Sequence, residues 1–528
     1  MATGQAITIL FLATALAVFG AWAVARRYRA VMTRLMSAPA PAVPTPAPPL
    51  REVARPPVAD LTPADNQRAY RQLVGTLLAL SLLMALTRTL IEQTLVFAAP
   101  VTWKTVPTLT ATYAWPVVPV LGVIGRWSRR RVAAMLGLWF LGAVALLVWR
   151  TTAAVSFAAI AGWMAMEIGI PLVMVAAVCL GGATRAVAPW LLPPLALLCA
   201  ASLAGLEVLD SLVSRNLGFL ADLAGIVGVP AVFAGFALLP WLLAWWPVKA
   251  MGRRLARAYV ERRLSELIYL FTAVWTIALI MPALSAASSL GPAGGVVLLP
   301  LLWIPLLIPL ARRLSARLPK KPGRPPTLLV LRVFQQDAGV TALFDQVVER
   351  WRVTGNTVLI AGTDLVERTL DAEDIFTFLD GRLGERFIRS AGDVPARLGA
   401  FQFEPDAEGR YRVNECYCHD QAWKEALAPL LRMSDTVLMD LRGFQARNAG
   451  CAYELAALAG TPGLARVVVL TDARTDQPAA RAAAAQAPPG RFVWLDAGPG
   501  GATGPAQVLA ALFPAGDPPP LPVPQPQH

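Results

Sequence analysis

The sequence predicts an α-helical polytopic membrane domain joined to a doubly wound, parallel-sheet α/β domain. Three observations carry this expectation. Of the 528 residues, 56% are hydrophobic and only 15% charged, against about 25% charged in a typical soluble domain. Up to Arg312 the chain is a succession of apolar runs near the ~20 residues that a spanning helix needs. After Pro326 it changes to short β-rich runs alternating with helical periodicity, the pattern of a parallel sheet covered on both faces.

Taken in order, residues 1–37 read as an N-terminal transmembrane anchor and 38–68 as a Pro-rich linker. Residues 69–313 read as a multi-span domain of about eight helices, 314–326 as a basic linker, 327–514 as a cytoplasmic α/β domain and 515–528 as a disordered Pro-rich tail. Nine candidate spans lie at about 6–25, 72–97, 109–125, 132–149, 166–182, 187–206, 218–246, 264–285 and 294–311. No basic segment precedes the first, and Arg26, Arg27 and Arg29 follow it. It therefore reads as an anchor with its N-terminus outside, not as a cleaved signal. The apolar stretch 151–165 suits an interfacial segment, and span 218–246 is long and contains Asp222 and Pro230.

The net charge of +13 follows the positive-inside rule. With nine spans, Lys and Arg gather in the inner segments Arg26–Arg71, Arg126–Arg131, Lys249–Arg263 and Arg312–Arg324. Arg185 stands alone in another inner loop, and the outer loops hold only Lys104, Arg150 and Arg215. This puts the C-terminal domain in the cytoplasm. Arg exceeds Lys, as in GC-rich bacterial genomes, so the expected location is a bacterial inner membrane. The basic residues cluster at span ends instead of forming a stripe interleaved with aromatics, which argues against nucleic acid as a partner. The lipid bilayer is the expected partner.

Charges within spans are expensive and often functional. Arg88 and Glu92 are four apart and can pair on one helix face. Glu167, Glu207, Asp210 and Asp222 lie near span ends, where most reach the interface by snorkelling. No internal repeat of the transporter kind is visible. The five cysteines, Cys179, Cys199, Cys416, Cys418 and Cys451, show no disulfide spacing. Cys416-Tyr417-Cys418-His419 is rich in soft ligands but lacks a fourth ligand group for zinc, so no metal is expected.

In the soluble half, strands are read at Thr327–Phe334, Thr357–Ala361, Thr436–Leu441, Arg466–Thr471 and Arg491–Asp496. Helices are read at Val340–Arg352, Asp371–Leu383, Cys451–Ala459, Ala479–Gln486 and Ala506–Phe513. Tyr411–Glu415 reads as a β-hairpin or edge strand with a solvated tip; the alternative brings Asn414 and Glu415 to the site. Ligands of such sheets bind beyond the carboxyl ends of the strands. Those ends deliver Gln335, Gln336 and Asp337, then Gly362, Thr363 and Asp364, then Asp440 and Arg442. The helix after the third of these opens at Gly450 and carries Glu454 in its first turn, where the dipole favours a carboxylate. No Gly-x-Gly-x-x-Gly or Walker-type loop follows strand one.

The run Ser434-Asp435-Thr436-Val437-Leu438-Met439-Asp440, followed by Asn448-Ala449-Gly450-Cys451-Ala452-Tyr453-Glu454-Leu455, resembles nucleoside deoxyribosyltransferase-like proteins. In them a strand leads through Asp-x-Gly-Thr-x-x-Glu-Leu into a helix. It is also similar to Toll/interleukin receptor (TIR) domains, which share the flavodoxin-like sheet. Both groups use that Glu at an N-glycosidic bond, of NAD in TIR enzymes and of a deoxynucleoside in the transferases. The resemblance covers about 35 residues. Asn448 stands where the transferases have Asp, and Cys451 where they have Thr.

The resemblance implies a nucleotide-binding domain, with Glu454 the catalytic carboxylate and Asp337, Asp440, Arg442 and Asn448 lining the site. It implies NAD or a nucleotide as substrate, no required cofactor, and self-association of the kind TIR domains show. A non-enzymatic membrane-bound sensor is the alternative, and a transporter with a regulatory domain the third reading.

Overall fold

The computed structural model describes residues 3–37, 55–151, 156–181, 184–215, 218–316, 321–332, 338–361, 372–419, 422–498 and 503–514. Most of the Pro-rich linker, part of the basic linker, the tail 515–528, the expected site residue Asp337 and the loop residues Gly362, Thr363 and Asp364 lie outside them.

The apolar half begins with α1 (Thr3–Ser37), α2 (Pro63–Ile91), α3 (Thr105–Tyr113), α4 (Val117–Ile124), α5 (Arg129–Arg150), α6 (Phe157–Met164) and α7 (Ile170–Cys179). It continues with α8 (Ala188–Ser214), α9 (Gly218–Val227), α10 (Val229–Val260), α11 (Glu266–Leu290) and α12 (Trp303–Ala316). Among the described residues, eight helices are long and apolar enough to cross a bilayer. A ninth results if the pair α3–α4, bent by 41°, is one span.

Local sequence explains where these helices start and stop. Pro63 occupies the first turn of α2, and Thr62 and Asp65 form a reciprocal capping box there, which satisfies amides that the helix leaves open. The run 218–246, expected as one span, divides. Gly228 adopts φ 87°, a conformation that costs glycine little, and Pro230 starts α10 behind it. A 3-10 segment, Gly291–Leu302, folds back on α11. A Cβ on Gly294 would lie 2.2 Å from the amide nitrogen of Ala287, so only glycine fits that approach.

The C-terminal half is a seven-stranded, wholly parallel sheet. Its strands are β1 (Thr327–Arg332), β2 (Asn356–Ala361), β3 (Phe387–Ile388), β4 (Val413–Cys418), β5 (Thr436–Asp440), β6 (Arg466–Thr471) and β7 (Phe492–Asp496), in the order 3-4-2-1-5-6-7. Its helices are α13 (Ala338–Trp351), α14 (Ala372–Leu379), α15 (Val394–Gly399), α16 (Trp423–Met433), α17 (Ala449–Gly460), α18 (Gln477–Ala483) and α19 (Pro505–Leu512). Alternate strand residues point to opposite faces, which builds two cores. Leu328, Val330, Leu438 and Val468 pack against Phe344 and Trp351 of α13 and Leu512 of α19. Leu329, Leu331, Val437 and Val469 pack against Leu427 and Leu430 of α16 and Leu455 of α17.

A second expectation needs correction. The segment read as a hairpin or edge strand with a solvated tip is the start of β4, which lies between β2 and β3 and pairs with both in parallel. Burial explains the difference: Asn414, Cys416, Tyr417 and Cys418 are all buried in that position.

The sheet domain docks on one end of the helices. Phe376 of α14 lies 4.6 Å from the Tyr259 ring and edge-on to Tyr269 at 5.5 Å, and Phe378 meets Tyr28 at 5.8 Å. Asn66 of α2 donates to the Arg350 carbonyl and to Thr354 Oγ1, both at 2.8 Å. Arg350 also lies over the Tyr70 ring at 3.7 Å. Glu349 accepts from Arg126 of the helical half at 3.0 Å, and from Arg352 and Arg410 at 2.9 Å.

Candidate functional site

The winding of the sheet reverses between β1 and β5. From β1 the chain goes outward to β2 and to β3 at the edge, inserts β4 between those two, then returns to the other side of β1 with β5 and continues through β6 and β7. The register sets Arg332 opposite Asp440, so the carboxyl ends of the two central strands open side by side. A crevice at such a reversal is where parallel sheets take ligands.

Asp440 and Arg442 are brought together as a buried clamp. Asp440 Oδ1 accepts from Arg442 Nε at 2.9 Å, and Oδ2 accepts from Nη2 at 3.0 Å. A third guanidinium nitrogen of Arg442 donates to the Ala497 carbonyl after β7 at 3.3 Å. This two-pronged geometry suits a planar guanidinium facing a carboxylate. The pair ties the exits of β5 and β7 together, with its charges facing each other.

Asn448 shapes the turn into α17. Its Oδ1 accepts from the Gln445 amide at 2.8 Å, a local side-chain turn that aims the helix start at the carboxyl edge. Asp472 acts alike at the exit of β6. Its carboxylate accepts from the Gly443 amide at 2.8 Å and from Thr475 Oγ1 at 2.9 Å. These bonds hold its carboxyl below the usual carboxylate range although burial opposes them. Sequence reasoning missed Asp472, yet the rule that found Asp440, a polar residue at a strand's carboxyl end, applies equally to β6.

Glu454 differs from these groups. It sits half-buried on α17 with no hydrogen-bond or ion-pair partner among the described residues. Desolvation pushes its carboxyl up to about 7. Burial pushes the neighbouring Cys451 thiol up to about 12, with the charges of Glu454 and Asp440 adding to it. The thiol is therefore a neutral, small neighbour and not a thiolate nucleophile. Beside Glu454, Tyr453 is 44% exposed and meets Trp423 edge-on at 5.6 Å. Lys424 Nζ lies 5.0 Å from the Tyr453 ring centroid. This aromatic pair, suited to stacking on a planar ring, was not anticipated, because Trp423 is separated from Tyr453 by a whole strand.

Asn414 and Glu415 do not reach this edge. They lie at the start of β4, where Asn414 brackets the Gln402 backbone at 2.7 and 3.0 Å. The Cys416–His419 run is divided among other tasks. Cys416 and Cys418 are buried in the sheet, the Tyr417 hydroxyl donates to Asp374 at 2.5 Å, and His419 Nε2 lies 3.2 Å from the Leu35 carbonyl of α1.

The arrangement thus offers one uncommitted carboxyl near neutrality, a fixed ion pair behind it and an exposed aromatic wall beside it. No family model, curated protein or solved structure matches the chain.

Proposed function

We propose that the chain is a multi-pass inner-membrane protein whose cytoplasmic, doubly wound domain binds a nucleoside or nucleotide, NAD included, and cleaves its N-glycosidic bond with Glu454. The observation that carries this is the half-buried Glu454 carboxyl, without a partner among the described residues, at the switch point of the sheet. The order β2-β1-β5-β6-β7 supports a flavodoxin-like core, with β4 and β3 added outside β2. The orientation is supported by the basic segments. Arg126, Arg257 and Arg262 all bond the sheet domain, so the end rich in Lys and Arg is the end that carries it.

The chemistry follows from charge. As the C1′–N bond breaks, its electron pair leaves on the base nitrogen and positive charge builds at C1′. An ionised carboxylate beside C1′ stabilises that charge, and water then adds to the ribosyl carbon; the proton it loses goes to solvent when nicotinamide leaves neutral, and balances the one taken up by a nucleoside base. With Glu454 near 7, a cationic ribosyl ring draws it to the ionised form. Trp423 and Tyr453 supply a stacking wall for a base. Asp440 and Arg442 hold the strand exits in place.

The test is release of nicotinamide or free base by the full-length protein in lipid nanodiscs supplied with NAD or nucleosides. Release by the parent and none by Glu454→Gln is expected. Equal release by a folded Glu454→Gln ends the assignment.

A second reading, a membrane-bound sensor, is favoured by the docking surface, where Asn66, Tyr70 and Arg126 of the helices grip the sheet domain. Ligand binding without turnover, together with a ligand-dependent change in that docking, is its signature.

A further inference from the structure

In the apolar half, two π-helical turns bring two carboxylates onto one guanidinium. Arg88, near the end of α2, donates from Nε to Glu92 Oε1 at 2.7 Å and from Nη2 to Glu167 Oε1. Glu92 opens the π-helical turn Glu92–Val96, and Glu167 lies in the π-helical turn Ala165–Gly169. Such turns weaken backbone bonding and recur at functional sites. Here each carries one of the two carboxylates.

The surroundings are closed and polar. The ring of Tyr113 covers the guanidinium at 3.8 Å. Side-chain exposure is 1% for Arg88, 5% for Glu92 and 16% for Glu167. Among the described residues, Arg88 Nη1 is buried with no hydrogen-bond partner, as is Thr108 Oγ1 on α3. The packed elements bring no further charge to the cluster. Glu266 and Tyr269 stand at the start of α11, bonded to Arg185 and to the Ala186 carbonyl. Segment Gly291–Leu302 has no charged residue.

One cation thus faces two carboxylates, which leaves one negative charge in excess. An uncompensated buried charge is costly, and carboxylates that share a site titrate as a coupled pair. A proton bound to one of the two carboxyls removes the excess charge, and among the described residues no group of three or more His, Cys, Asp or Glu is placed to hold a metal ion there.

We propose that the Arg88–Glu92–Glu167 cluster is a proton-binding site in which Glu167 takes the proton. Glu92 is held by Arg88 Nε at 2.7 Å and is 5% exposed. Glu167 keeps the exposed edge by which a proton enters. Its carboxylate gains an O–H bond, the excess charge disappears, and its hold on Arg88 weakens. Helix α2 also carries Asn66 and Tyr70, which grip the sheet domain about 33 Å away at 1.5 Å per residue. One rigid element therefore joins the proton site to the docking surface.

The test is infrared spectroscopy of the full-length protein in lipid nanodiscs over a pH series of roughly 5 to 9, reading the C=O stretch of a protonated carboxyl. A titrating band is expected in the parent and in the exposed-site control Glu207→Gln, and its loss in Glu167→Gln. Absence of the band from the parent, its survival in Glu167→Gln, or its loss in the control overturns the proposal. If Glu167→Gln does not fold, Glu167→Asp must move the titration midpoint, and an unmoved midpoint overturns the proposal equally. Glu454, raised to about 7, would titrate in the same window, so the parent and every variant of this series also carry Glu454→Gln, and failure of the glycosidase reading leaves this result unaffected.

Discussion

Arg412 donates to the carbonyl of Tyr259 at 2.9 Å and to that of Leu264 at 3.1 Å. One guanidinium of the sheet domain therefore closes the C-terminal end of helix α10. A cation there satisfies open carbonyls and complements the helix dipole. Behind it, Arg412 Nε donates to Asp406 Oδ1 at 2.9 Å, with both side chains buried.

Removal of Arg412 strands a buried carboxylate and reopens the helix end. Arg412→Ala is expected to destabilise the docked state by about 3–5 kcal/mol. Arg412→Lys recovers only part of this, because an ammonium cannot serve three acceptors in one plane. Thermal unfolding midpoints and the rate of proteolysis near Lys321–Arg324 report it. An unchanged rate in Arg412→Ala would show that the contact does not hold the domain in place.

Glu349 faces Arg126, Arg352 and Arg410, and these three guanidiniums hold its carboxyl well below the usual carboxylate range. The folded value is depressed, so this stabilisation is complete above the ordinary 4.5 and is lost as pH falls below it. The parent's unfolding midpoint should drop on acidification through that window. Glu349→Gln should start about 3 kcal/mol less stable and show a flatter acid limb. Parallel acid limbs would assign the effect to other carboxylates.

Glu454 has the opposite sign. Its folded value, raised to about 7, means that ionisation costs stability as pH rises from the ordinary 4.5 through 7. Glu454→Gln is expected to be more stable than the parent above pH 7, by about 1–2 kcal/mol after allowance for its partial exposure. If Glu454 stabilises C1′, kcat/KM of the parent rises through the same window as the carboxylate forms. A parent profile flat through pH 7 would remove Glu454 from the rate.

The clamp of Asp440 and Arg442 should behave as structure before chemistry. Arg442→Ala leaves Asp440 buried and unpaired, at an expected cost of about 3 kcal/mol. The double substitution Asp440→Asn, Arg442→Gln should cost less than Arg442→Ala alone. Ordering of the three midpoints by differential scanning calorimetry decides it. A double variant worse than the single one would show that the pair's charge itself is needed.

Much of the architecture was legible in sequence because it is local. The apolar runs that mark eight or nine candidate spans depend only on composition over about 20 residues. The strands at 327, 357, 436, 466 and 491 depend on short β-rich runs between helical periods. Less regular segments were not legible. β3 is two residues long, and β4 mixes Asn414, Glu415 and Tyr417 into its run, so neither offers a clean apolar pattern. The place of Glu454 on the helix after β5 was legible from a strand-turn-helix motif. The aromatic pair Trp423–Tyr453 was not, because its members meet only after β5 is inserted beside β1.

The sequence by itself determined the division at about Arg312 to Pro326, the type of five strands and five helices of the C-terminal half, and the Arg88–Glu92 pair. Each of these is a matter of composition or of spacing within one turn. Only the tertiary structure decided that Glu167 joins that pair, that Asp440 is occupied by Arg442 while Glu454 has no partner among the described residues, and that Arg412 closes helix α10. These are meetings of side chains from separate elements, set by how helices cross and strands order, and periodicity along the chain carries no information about distance across it.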